Sequence, residues 1–292
     1  MKRKTSTSAR RSAQLAAATL AAFSLVVVAA GTAQAVAVPV PLGSANSFAV
    51  LAYAGVTNTG PTTIWGDIGS FPTTSIDGGI TPLGTNHAGD LVTQAAKLSL
   101  DAAVLNANAQ GPTDGTISAD LGGQILTPGV YVEAGTMLLN GGTLHLNAGG
   151  NANAVWIFKG GTDLSVNVGS TISLEGGAQA CNIYWVMGSQ AAIGGGSTFV
   201  GTIMAGTSVT FGTGATLDGR ALAQTGQVTL LSNTITHTPC AAAPSGGVGT
   251  GDGSTSQGGA NNTLYLLGGA GALAVLASVV MVATRRRRSL SV

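Results

Sequence analysis

Thr171-Ile172-Ser173-Leu174, Gln190-Ala191-Ala192-Ile193, Ser208-Val209-Thr210-Phe211 and Gln227-Val228-Thr229-Leu230 repeat one pattern of alternating polar and apolar residues. Their last residues lie 19, 18 and 19 positions apart. Ser197-Thr198-Phe199 returns 18 positions later as Ala215-Thr216-Leu217, and Met187, Ala205 and Ala223 are also 18 apart. One period therefore holds about three short strands. Alternation buries every second side chain, and a fixed period stacks each turn of chain on the next. The pattern predicts an all-β fold, a β-solenoid of triangular cross-section around an apolar column. A sandwich shares the alternation but has no reason to keep the period. The glycine pairs at 141–142, 160–161 and 176–177 suit corners, where a positive φ is often needed.

Composition agrees. The chain has 292 residues, 45 of them glycine, and only 8% are charged. Disordered chains carry more charge and fewer β-branched residues. Threonine, valine and isoleucine between frequent glycines suit short strands joined by tight turns.

One segment breaks the pattern. Residues 88–109 hold no proline, and Leu91, Ala95, Leu98, Ala102, Leu105 and Ala109 recur at alternating spacings of four and three. This is one apolar stripe of a long α-helix. Thr85 or Asn86 is placed to cap its start, and Gly111-Pro112 ends it. The stripe is expected to pack along the solenoid and cover one of its faces.

The formal net charge of +1 hides an uneven distribution. Five of the 12 basic residues are Lys2, Arg3, Lys4, Arg10 and Arg11, and four are Arg285 to Arg288. Only Lys97, Lys159 and Arg220 remain to face the 11 acids. So acidic a middle disfavours nucleic-acid binding, which needs clustered cations. The basic start, the apolar run 16–30 and the small-x-small site Ala33-Gln34-Ala35 read as a secretory signal peptide, 1–35. Residues 36–240 form the β domain. Residues 241–263, rich in glycine and serine, read as a flexible linker. The uncharged stretch 264–284 opens on Leu264 and closes on Thr284. Helical, it spans roughly 30 Å of hydrocarbon. The basic tail 285–292 follows and favours the cytoplasmic side. The expected arrangement is a single-pass cell-membrane protein with its β domain outside. No LPxTG-type sorting motif precedes Leu264, so a lipid anchor is expected in place of covalent wall attachment.

Two cysteines, Cys181 and Cys240, are an even pair, which outside the cytoplasm favours one disulfide; two free buried thiols are the alternative. Two cysteines do not make a zinc site of the usual spacing. Of the three histidines only His87 lies close to an acid, Asp90, on the predicted helix face. HExxH, P-loop, GxSxG and EF-hand patterns are absent. Asp163, Glu175, Asp218 and Arg220 are the candidates for glycan chemistry, but they are thinly spread, and Asp218-Gly219-Arg220 reads as a turn with a local ion pair. No enzyme activity, metal or cofactor is expected.

What does repeat is small, neutral and hydroxylic: Thr213-Gly214-Ala215-Thr216 stands one period after Gly195-Gly196-Ser197-Thr198. Stacked at ~4.7–4.9 Å, such residues make an array of methyls and hydroxyls fit for an ordered surface.

Further blocks carry a family resemblance. They are Leu42-Gly43-Ser44-Ala45-Asn46-Ser47-Phe48-Ala49-Val50-Leu51-Ala52, Val56-Thr57-Asn58-Thr59-Gly60-Pro61-Thr62, Gly66-Asp67-Ile68-Gly69, Asp120-Leu121-Gly122-Gly123, Leu126-Thr127-Pro128-Gly129-Val130-Tyr131, Ala154-Val155-Trp156-Ile157-Phe158, Cys181-Asn182-Ile183-Tyr184-Trp185 and Thr213 through Ala223. In these blocks the chain resembles the microbial ice-binding (antifreeze) proteins with the DUF3494 domain, over about residues 42–236. The resemblance implies a discontinuous β-solenoid with the helix alongside. It also implies adsorption to ice through one flat face, with no cofactor. Some members carry a T-A/G-x-T/N motif on that face. Thr213 to Thr216 fits it, whereas the neighbouring repeat starts with Gly195. The face is expected to contain Ser197, Thr198, Thr210, Thr213, Thr216 and Thr234, on a monomer whose partner is an ice crystal. A non-catalytic adhesive or structural surface module is the second reading, and a glycan-acting β-helix enzyme the third.

Overall fold

A computed structural model describes residues 36–112 and 117–241. The predicted signal peptide, linker, membrane span and basic tail lie outside these residues, apart from Ala241. Among the described residues no helix is long and apolar enough to cross a membrane.

The domain is a parallel β-solenoid with three faces. A six-stranded sheet forms one of them, in the order Val56–Thr59, Val228–Leu231, Val209–Phe211, Ala191–Ile193, Leu164–Val166, Met137–Leu139. A second, 14-stranded sheet bends round a corner to form the other two. The long strands Thr198–Ala205 and Thr216–Ala223 run across that corner, in register at Gly201 and Gly219.

The stacking is discontinuous. Val56–Thr59 pairs with Val228–Leu231, and Thr62–Ile64 with Thr234–Thr236, so the first turns of chain lie on the last. The helix then leads to the opposite end, where Ile125–Leu126 pairs with Thr143–Asn147. Period and register agree in the C-terminal turns: Met187, Ala205 and Ala223 are paired neighbours, as are Thr198 and Thr216. Thr171–Glu175 departs from the expectation. It pairs with Thr143–Asn147 in the larger sheet, and Leu164–Val166 is the true partner of Ala191–Ile193. The spacing of 19 that linked Leu174 to Ile193 joins two different faces.

The interior is apolar and layered. Tyr131, Phe158 and Trp185 stack with ring centroids 5.4 and 4.0 Å apart, and Phe199 lies tilted against Trp185 at 5.0 Å. In-register pairing of Phe158 with both Tyr131 and Trp185 puts like on like from turn to turn. The buried indole Nε1 of Trp185 donates to the Val200 carbonyl at 2.9 Å, which removes the cost of an unpaired polar atom in the core. Cys181 and Cys240 form a disulfide with Cα atoms 5.5 Å apart. By the chain-entropy argument this closure contributes ~4 kcal/mol.

Helix α1, Leu91–Ala109, packs on the third face as expected, but by the opposite stripe. Its buried residues are Thr93, Ala96, Lys97, Leu100, Ala103 and Ala107. They meet Leu51, Ile157, Tyr184, Met204 and Leu222 of the solenoid, with Val40 and Leu42 of the leading segment. Alanines bring the helix axis close to the sheet, and Lys97 fits because Nζ donates to the Ala223 and Gln224 carbonyls at 2.6 and 2.8 Å. Leu91, Leu98 and Leu105 of the predicted stripe are instead 79, 73 and 71% exposed.

The helix start also differs. Asp90 is the cap, its carboxylate accepting from the Thr93 N–H at 2.9 Å. That hydrogen bond and the His87 ring hold its carboxyl below the usual range. Residues 86–88 are a strand paired with Asp67–Ser70, so His87 reaches Asp90 from outside the helix. The glycine pairs also divide. Gly141, Gly142, Gly176 and Gly177 have positive φ. Gly161 is required because a side chain there would strike the Ala134 carbonyl.

Burial lowers the Lys97 pKa to about 8. Below pH 8 both folded and unfolded states keep the proton. Between pH 8 and 10.5 the folded state releases it first, so Lys97 adds stability as pH rises, up to about 3 kcal/mol. Chemical denaturation of wild type and Lys97→Met should show their stability difference shifting in favour of wild type across this window. A pH-independent difference would contradict the assignment.

Candidate functional site

The helix closes one face of the solenoid, which leaves two open. On the six-stranded face, the outward residue of each strand forms one column: Leu138, Ser165, Ala192, Thr210, Thr229 and Thr57. No register shift interrupts it. Six strands at ~4.8 Å make it about 24 Å long. Two positions away, flanking the strands, stand Thr136, Asp163, Gln190, Ser208 and Gln227 on one side and Asn140, Asn167, Gly194 and Gly212 on the other, the latter side continuing as Leu231 in register with Thr59. Asp163 is the one charged residue in these columns, and its Oδ1 accepts from the Gln190 N–H at 3.2 Å. The hydroxyls are held: Thr57 Oγ1 donates to Thr229 Oγ1 at 3.1 Å, and Thr136 and Thr162 share a hydrogen bond of 2.9 Å. The result is a central column of mostly small neutral groups.

Across one corner, on the second open face, a single register holds Thr143, Thr171, Thr198, Thr216, Thr234, Thr63 and Thr81. The corner explains the order. Gly169, Gly196, Gly214 and Ser232, each two positions before its threonine, have φ of 71, 63, 69 and 52°. Glycine suits this left-handed bend because it lacks a Cβ. The intervening residue then turns inward. Ser170 Oγ donates to the Leu139 carbonyl at 3.0 Å, Ser197 Oγ to the Asn167 carbonyl at 2.9 Å, and Asn233 Nδ2 to the Gly212 and Ala215 carbonyls at 2.9 and 3.0 Å. These bonds add a side-chain donor to carbonyls at the corner and tie one turn of chain to the next.

Beyond its threonine column this second face is uneven. His145 pairs with Glu175, and Ile125 stands exposed in register with His145. Asp218 accepts from the Thr238 N–H and hydroxyl, and Ala241 donates to Gln179, so the C-terminal segment lies against it.

The six predicted face residues therefore do not share one plane. Thr198, Thr216 and Thr234 lie in the threonine column, Thr210 on the six-stranded face, and Thr213 in the turn between the two sheets. Ser197 is 1% exposed and braces the corner from inside, so its hydroxyl is not a surface group. Thr63, Thr81, Thr143 and Thr171 complete the threonine column. Thr81 lies 18 positions after Thr63, a signal present in the sequence, whereas Thr143, Thr171 and Thr198 are separated by longer turns.

The candidates for glycan chemistry are not brought together. Asp218 and Arg220 lie in a strand, not a turn, and Arg220 donates to the Asn46 carbonyl and side-chain oxygen, both at 2.9 Å. Among the described residues no group of three or more His, Cys, Asp or Glu side chains could hold a metal.

A solenoid offering a regular neutral face is a surface-recognition scaffold, and comparison supplies the family. The ice-binding-like family profile matches residues 50–236, and the chain belongs to this family. It is 37% identical over 194 residues to an ice-binding protein of Nostoc sp. (strain HG1), covering 65% of this chain and 71% of the relative. It is 32% identical over 205 residues to one of Flavobacterium frigoris (strain PS1), covering 65% and 73%. The crystal structure of an ice binding protein from an Antarctic biological consortium aligns with TM-score 0.68 and 42% identity, over 69% of this chain and 92% of that one. That of the Antarctic ascomycete Antarctomyces psychrotrophicus aligns with TM-score 0.64 and 37% identity, over 69% and 99%. The family is one of binding proteins, not enzymes.

The corner account predicts that Asn233→Ala, which removes the side-chain donor to the Gly212 and Ala215 carbonyls and the acceptor of the Leu231 N–H, lowers stability by roughly 1–3 kcal/mol. Thr234→Ser, its exposed neighbour, should change it by less than about 0.5 kcal/mol. Urea denaturation of the two variants measures this, and equal losses would show that the inward column does not brace the corner.

Proposed function

We propose that the domain adsorbs to ice through the six-stranded face centred on Thr57, Thr229, Thr210 and Ala192. The observation that carries this reading is the uninterrupted column Ser165, Ala192, Thr210, Thr229 and Thr57 of small neutral side chains. Ice presents a rigid two-dimensional lattice of donors and acceptors, and a binding face must match it over an area. Rigid methyls and hydroxyls at a fixed spacing do so without shedding a tightly held ionic hydration shell. The threonine column on the neighbouring face supplies a line of such groups, but His145, Glu175, Asp218 and the C-terminal segment interrupt the plane beside it. Family membership supports the ice reading over a sugar-binding or catalytic one.

The variants that test it differ only in face. Thr210→Tyr and Thr229→Tyr, with a bulky ring standing above the array, should abolish inhibition of ice recrystallisation while circular dichroism and melting temperature stay unchanged. Thr198→Tyr, in the threonine column, should keep most of the activity. Loss with Thr198→Tyr and retention with Thr210→Tyr would place the site on the other face.

The same proposal includes export and anchoring. The composition of residues 1–35 supports cleavage on secretion, and the uncharged run 264–284 followed by four arginines supports a membrane anchor with the domain outside. Held there, an ice binder acts at the cell boundary, in attachment to ice or protection of the cell surface. Expression without residues 264–292 should release the domain to the medium, and retention in the membrane fraction would contradict the anchor.

A further inference from the structure

Among the described residues, the outward stripe of helix α1 has no partner. Leu91, Leu98 and Leu105 recur every seven residues and are 79, 73 and 71% exposed, while Ala95, Ala102 and Ala109 alternate with them and are exposed too. Assigning leucine to heptad position d and alanine to a puts the residues that bury against the solenoid at b, c and f. The helix thus carries two apolar faces, and the outer one has the spacing of a coiled-coil seam. Single exposed leucines need no explanation, but three at one heptad position in a helix already anchored on its other side form a designed surface.

We infer that this seam docks a second copy of the chain, helix against antiparallel helix. The stripe is complementary to itself under a two-fold axis. Antiparallel pairing sets Leu91 against Ala109, Ala95 against Leu105 and Leu98 against Ala102 of the second copy, so each large side chain faces a small one. Self-complementarity of this kind is what an isologous contact requires. Flanking residues allow the approach. Gln94, Ser99, Asn106 and Asn108 are neutral, and the carboxylate of Asp101 accepts from Gln224 Nε2 at 2.9 Å on the solenoid side. A bilayer is the poorer fit, since an interfacial helix needs lysine or arginine beside its apolar face. The lysine of this helix, Lys97, points inward to two backbone carbonyls.

Area sets the strength. Nineteen residues give a strip about 28 Å long and about 10 Å wide. That is well below the ~800 Å² per partner of a stable standard interface, so the pair is weak in dilute solution. Copies concentrated on one surface meet at effective concentrations near mM, where a weak contact forms. Pairing replaces the expectation of a monomer, and it leaves both open faces of each copy free.

The test uses residues 36–241. Solved relatives such as the consortium and ascomycete proteins, 92 and 99% of which align with this chain, show that a domain of this extent folds without flanks. Sedimentation across about 5 µM to 1 mM should reveal a concentration-dependent dimer, weakened about tenfold or more by Leu98→Glu and by Leu105→Glu, with melting temperature unchanged. Leu98→Cys mixed with Ala102→Cys should give a mixed disulfide under oxidation, and Leu98→Cys alone should not cross-link. A monomer at the highest concentration, or a dimer untouched by both glutamate variants, overturns the proposal. So does Leu98→Cys linking to itself, the parallel result. Flotation with phosphatidylcholine–phosphatidylglycerol vesicles that Leu98→Glu abolishes overturns it in favour of a lipid surface.

Discussion

Parallel backbone pairing in fixed register from one turn of chain to the next is the constraint that orders the whole domain. Because successive side chains point to opposite faces, a slip of one residue exchanges inside for outside along an entire strand. The corner beside the threonine column prevents the slip. A left-handed residue bends the chain, and Ser170, Ser197 or Asn233 then turns inward and holds the carbonyls of the bend. The next residue has no choice of side. It is a threonine in seven successive turns, and the rings of Tyr131, Phe158 and Trp185 stack within for the same reason.

Register also sorts the three faces chemically. The face beneath helix α1 is apolar and closed. The threonine face carries the hydrogen-bonded pair of His145 and Glu175 and is bordered by the disulfide-tied C-terminal segment. The central column of the six-stranded face keeps Ser165, Ala192, Thr210, Thr229 and Thr57 small and uncharged. A rigid scaffold loses little entropy on adsorption, since its side chains are branched, small or already hydrogen-bonded. The same rigidity lets a stiff, doubly apolar helix be presented on the remaining side.

Much of the fold was legible because the C-terminal turns keep an 18–19-residue period with few insertions. Met187, Ala205 and Ala223 announced their pairing through spacing alone. The earlier turns are longer, so the threonines at 143 and 171 fell out of phase, and Thr171 to Leu174 was assigned to the wrong sheet. The helix face was misread for a different reason. Two stripes satisfy helical periodicity, and leucines made the outer one look like core. The inner one contains Thr93 and Lys97, whose burial depends on carbonyls 126 and 127 positions away for the lysine, a tertiary contact invisible to local pattern. Ser197 was legible as a hydroxyl beside Thr198, but alternation alone already placed it on the inside, and that signal outweighs its polarity.

Ice adsorption is the central claim, and partition into growing ice measures it most directly. A slowly grown ice hemisphere in a dilute solution of the labelled domain, residues 36–241, should take up protein on defined crystal planes. Exclusion of the folded domain from the ice into the remaining liquid, as for an inert control protein, would contradict the account.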